Sequence, residues 1–301
     1  MNDAFQLLWP DGIQHDRILL LVTDAARYMK KAARDLTILY TRMLHVTCFA
    51  HALHRVADFI RDKFKKLDSL INCGKQIFLK APSRIRVLKT QFPNLSLPPA
   101  PVITRWGTWL KAVSYYAENW NSIQAIIDSL PENDASAIKQ AQELFKEPKV
   151  FEEITFVHQH YTFLADCINK LETDGQTIKE QLDILSTVLN KMTTTPNADI
   201  KKKLQQVLDD NPRLSAINAI NSNDIEKLRT FSQFKDMSPA DICNFTYALL
   251  VSCEVERSFS RYKRVLASHR RNFIFPNLMH YIVVECNAGF FNEEANDEYD
   301  F

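Results

Sequence analysis

Arg17 to Phe49 reads RILLLVTDAARYMKKAARDLTILYTRMLHVTCF, and this stretch decides the fold class. Two short, continuous apolar runs, Arg17 to Thr23 and Met43 to Phe49, flank a helix-period segment from Ala25 to Tyr40. Runs of that length suit buried strands, and the segment between them is long enough for a crossover helix. The pattern predicts a strand, helix, strand unit whose right-handed crossover makes the strands parallel. Asp24 then lies just beyond the C-terminal end of the first strand, where ligands bind in open α/β sheets. The second strand runs directly into a helix from about Ala50 to Ile71.

Beyond this unit the pattern is helical, over Lys75 to Thr90, Trp106 to Ser129, Ala135 to Phe145, Phe151 to Glu172, Ile178 to Met192 and Ile200 to Asp209. It resumes over Pro239 to Val251, Glu254 to Ala267 and Pro276 to Ala288. Pro93 and the Pro98-Pro99-Ala100-Pro101 cluster predict an extended connector, because proline removes amide donors and forces its predecessor out of helical geometry. Thr193 to Asn197, Asp209 to Arg213 and Asn221 to Asp224 are polar breaks. Residues 292–301 carry five acids in ten positions and are expected to be a disordered tail. The expected fold class is mostly α with a small parallel α/β element.

With 301 residues and 46% hydrophobic content, the chain can bury a sizeable core. A net charge of +1 excludes bulk electrostatic grip on nucleic acid, so any DNA contact must be local. The sequence shows no run of eighteen apolar residues, no signal-peptide pattern, and neither GxGxxG nor a P-loop. The expectation is an intracellular chain with no membrane partner and no nucleotide cofactor. Six cysteines, scattered without CxxC spacing, read as unpaired thiols.

Near the C-terminus, Glu254 to Asn272 reads EVERSFSRYKRVLASHRRN. Phe259, Tyr262 and Val265/Leu266 form an apolar stripe, while Arg257, Arg261, Lys263, Arg264, Arg270 and Arg271 remain available to solvent or to an anion. On composition alone an ordinary amphipathic helix, with Glu254 and Glu256 paired to Arg257 and Arg261, is the favoured reading. The block Glu256-Arg257-Ser258-Phe259-Ser260, however, resembles the C-terminal region of hAT-family transposases. Three further stretches agree in order and rough spacing: LLLVTDAARYMKKA around Asp24, HVTCFAHALHRV around Cys48 and His51, and TRWGTW around Trp106.

This resemblance implies an RNase H-like core in residues 1–106, a helical insertion in 107–238 and a dimerisation region in 239–291, followed by the acidic tail at 292–301. It implies that Asp24 and Glu256 are the second and third members of an Asp-Asp-Glu triad, able to hold Mg²⁺ or Mn²⁺ only if the triad is complete. It further implies Trp106 stacking on an unpaired base, a homodimer and a nuclear location. The family's first catalytic Asp lies on a strand upstream of the segment that begins this chain. Asp3, Asp11 and Asp16 sit in polar or turn-like surroundings and do not replace it. The expectation is therefore an N-terminally truncated or domesticated transposase, catalytically inactive and without cofactor, that acts through dimerisation with local DNA contact.

The alternatives are an active metal-dependent nuclease completed by another carboxylate or chain, and a non-specific DNA-binding helical protein. Each candidate also has a plainer role. Asp24 suits a helix N-cap, Trp106 an aromatic core anchor, and Glu256 a favourable charge near a helix N-terminus. Cys48 and His51 have C-x-x-H spacing that could contribute two zinc ligands, but a structural site wants four. Apolar side chains for association are sought among Phe245, Tyr247, Leu249, Leu250, Phe259, Tyr262, Phe273, Phe275, Tyr281 and Ile282.

Overall fold

Strands β1 (Leu20–Thr23) and β2 (Leu44–Thr47) pair in parallel, Leu20 opposite Leu44 and Thr23 opposite Thr47. They are joined through helix α1 (Arg27–Leu36). This is the expected strand, helix, strand unit, but both strands are shorter than their apolar runs. His15–Arg17 turns as a 3-10 helix, and Ile18 joins a cluster with Tyr40 and Met43 against which Phe5, Trp9 and Leu36 pack. Part of the first apolar run thus serves a side cluster rather than the sheet. The structure is a computed structural model and describes residues 5–6, 9–101, 107–211, 213–234, 238–266, 274 and 276–284.

The remainder of the described chain is helical: α2 (Phe49–Lys63), α3 (Lys65–Phe78), α4 (Pro82–Gln91), α5 (Thr108–Glu118), α6 (Trp120–Ser129) and α7 (Ser136–Phe145). There follow α8 (Pro148–Tyr161), α9 (Phe163–Leu171), α10 (Ile178–Thr193), α11 (Ala198–Asp209), α12 (Leu214–Asn221), α13 (Ile225–Arg229), α14 (Pro239–Phe245) and α15 (Cys253–Val265). Residues 276–284 are helical as well. Three helices expected to be continuous are broken by single residues, at Phe64, Asn119 and Thr162. The helix expected over Pro239 to Val251 stops at Phe245, and α12 and α13 fall within residues 210–238, where the sequence reading placed no helix.

Packing follows the apolar faces, with α3 against α7, α2 against α11, α5 against α8 and α9 against α10. α10 opens with a capping box in which Thr177 Oγ1 accepts from the Glu180 amide and Glu180 Oε2 accepts from the Thr177 amide. Cys48, Cys73, Cys167, Cys243 and Cys253 are not joined in disulfides, while Cys286 lies outside the described residues. Among the described residues no helix is long and apolar enough to cross a membrane.

The chain divides into two compact units, residues 1–251 and 252–301. That division differs from the sequence boundary at 238/239, because α14 and the segment after it belong to the first unit. The segment is held by Gln181, whose side chain is fully buried. Gln181 Oε1 accepts from the Leu250 amide at 2.7 Å, and its Nε2 donates to the Ala248 carbonyl at 3.1 Å. The Ile178 amide donates to the Thr246 carbonyl at 2.9 Å. A buried side chain here satisfies backbone groups that lie outside any helix or strand.

Candidate strand-end site and C-terminal helix

The C-terminal ends of β1 and β2 meet at a small polar junction. The Cys48 amide continues the ladder to the Thr23 carbonyl at 2.8 Å, and the Phe49 amide donates to the Leu250 carbonyl at 3.0 Å. Leu250, near the end of the first unit, is thus tied to the residue that opens α2. Asp24 stands half-buried at the same strand ends, and its Oδ1 accepts from the Ala26 amide at 3.1 Å. The N-cap of α1 is Ala26 itself, so the expected capping role of Asp24 becomes a tight turn one step before the helix.

Thr23 Oγ1 donates to the Asp24 carbonyl at 2.8 Å. Its single proton is thereby committed, so the 2.8 Å contact with His45 Nε2 is donated by the ring. Burial, and then the charge of Lys30, hold the His45 pKa below the ordinary range, which favours the neutral ring.

Cys48 is 1% exposed and lies at the start of α2, one turn before His51. His54 Nε2 lies 3.1 Å from Asp58 Oδ2. The His54 pKa is lowered, first by burial and also by His51, against the opposing charge of Asp58. Among the described residues no group of three His, Cys, Asp or Glu side chains is placed to hold a metal ion.

Glu256 occupies the first turn of α15, in the second unit, whereas Asp24 belongs to the first. In α15 Arg257 pairs with Glu254 one turn earlier, so the plain amphipathic pairing exists and the basic face is smaller than the composition suggests. Arg261 is half-buried and Lys263 is exposed. The side chain of Arg264, and all of Trp106, Arg270, Arg271, Phe273 and Phe275, lie outside the described residues. Of the apolar candidates, Phe245 and Leu250 are buried in the first unit and are not available for association. Tyr247, Leu249, Phe259, Tyr262 and Tyr281 are exposed, and Ile282 is half-buried.

One site escaped the sequence reading. A cavity of about 400 Å³ in the first unit is lined by Arg27, Lys30 and Arg34 of α1, His45 and Thr47 of β2, and Asp210 and Asn211 after α11. The spacing of Arg27, Lys30 and Arg34 puts them on one helical face and was legible. Only the fold brings Asp210 and Asn211 to it. Comparison of the chain with protein-family models, with curated proteins and with solved structures finds no match in any of the three.

Proposed function

We propose that this chain is derived from a hAT-type transposase and acts by self-association through its C-terminal region rather than by cutting DNA. The observation that carries this reading is the apolar stripe on α15, the helix bearing Glu256-Arg257-Ser258-Phe259-Ser260. Val255, Phe259, Tyr262 and Leu266 recur at helical spacing and are 51%, 55%, 41% and 37% exposed. Each such side chain contributes about 1.5–3 kcal/mol when buried, so a stripe of four is a strong incentive to pair. A second copy supplies an identical stripe, and a two-fold interface matches a surface with itself.

The parallel strand unit with Asp24 at its C-terminal end supports the transposase ancestry. Association is proposed as the action, with the nucleus as its place, because the exposed stripe lies on the helix that carries the resemblance. DNA contact through Arg261 and Lys263 is secondary to it. The test is light scattering across a concentration series reaching the high micromolar range. A dimer is expected, and Phe259→Ser combined with Tyr262→Ser should weaken it at least about tenfold, or 1.4 kcal/mol. A strict monomer throughout removes the proposal. Mn²⁺-dependent DNA cleavage that disappears in Glu256→Gln would replace it with an active nuclease.

A further inference from the structure

The geometry points to the cavity between α1, β2 and the turn after α11 as a binding site for a small phosphorylated ligand. Three cations and one carboxylate line it, which leaves an excess of two positive charges. The whole chain carries a formal net charge of only +1, so this excess is local. Cations on a helix are usually a solvated face. Here the wall opposite them is built: Asp210 is held by Lys30 at 3.2 Å and by Arg55 at 3.0 Å, and Asn211, 4% exposed, donates from Nδ2 to the Thr47 carbonyl at 3.2 Å.

With Asp210 committed to Lys30 and Arg55, Arg27 and Arg34 have no acidic partner among the described residues. They stand roughly 10 Å apart along the helix axis, with Lys30 between them. That array suits a dianionic phosphate or diphosphate group, because guanidinium forks bind its oxygens in pairs. Asn211 Oδ1 is buried without a donor and can only accept, so it suits a hydroxyl on the body of the ligand rather than the phosphate, which the arginines hold. The volume falls within the range of pockets that enclose small molecules.

Calorimetric titration of the full chain at matched ionic strength tests the site. The probes are inorganic pyrophosphate, glucose 6-phosphate and unphosphorylated glucose, so free and esterified phosphate are told apart. Saturable one-to-one binding of at least one phosphorylated probe is expected, with none for glucose. Arg27→Ala and Arg34→Ala should each weaken it about tenfold. Both residues are exposed on the helix and alanine is a good helix former, so these variants keep the fold. Lys31→Ala, which lies on α1 outside the cavity lining, should leave binding unchanged. No saturable binding of either phosphorylated probe overturns the proposal, as does an equal loss in Lys31→Ala. Tighter binding of a short single-stranded oligonucleotide through the same arginines also overturns it, by making the cavity part of a nucleic-acid surface.

Discussion

Gly74 lies in α3 against Tyr116, and a methyl group there would stand 1.6 Å from the tyrosine oxygen and 2.8 Å from Cζ. Tyr116 is fully buried and its hydroxyl has no hydrogen-bond partner. Burial, with lesser contributions from Tyr115 and Cys73, pushes the phenol pKa far up. In an exposed helix Gly→Ala gains about 1 kcal/mol. Here overpacking costs roughly 3 kcal/mol, so Gly74→Ala should lower stability by about 2 kcal/mol in urea titration. Tyr116→Phe removes the unsatisfied hydroxyl and should be neutral or stabilising by about 1 kcal/mol. Since Cζ stays close, the double variant should recover only part of the loss. Full additivity of the two changes would show that they do not touch.

At the scale of elements, Gln181 does what no sequence pattern announces. Gln181→Leu keeps the approximate volume but strands the Leu250 amide and the Ala248 carbonyl, and should cost about 3 kcal/mol. A loss below about 0.5 kcal/mol, the usual size of a surface substitution, would refute the brace. The same residue explains why the helix expected to reach Val251 ends at Phe245: the backbone beyond it has partners on α10 that outcompete its own helical bonds. The parallel strand unit was legible because its apolar runs are short and continuous. The strands were read too long at Arg17, since apolar periodicity does not reveal that Ile18 packs beside Tyr40 and Met43. The breaks at Phe64, Asn119 and Thr162 were invisible because a one-residue interruption hardly disturbs a 3.6-residue period. Asp24 was placed correctly at a strand end. The cavity needed Asp210 and Asn211, which only long-range folding delivers.

For the whole molecule, two classes of group make acid destabilising. His45 and His54 have lowered pKa values, so the folded state binds fewer protons than the unfolded chain below the ordinary histidine value of about 6.5. Stability therefore falls as pH drops from there through the folded values. Burial alone would raise Asp210 and Asp241, but bonds from Arg55 and Lys30, and from Ser238 and Arg42, outweigh it and hold both below the usual range. Their contribution is present above about pH 4 and disappears as pH falls through the lowered values. Urea midpoints should decline in two stages, first below about pH 6.5 and again below about pH 4. A flat midpoint from neutrality to about pH 5 would contradict the histidine stage.

The buried amide of Leu250 carries a related consequence. It lies outside any helix or strand, yet its proton cannot reach solvent until α10 swings away from the segment after α14. In deuterium exchange this irregular backbone should rank with the most protected positions of the first unit and report the free energy of its cooperative opening.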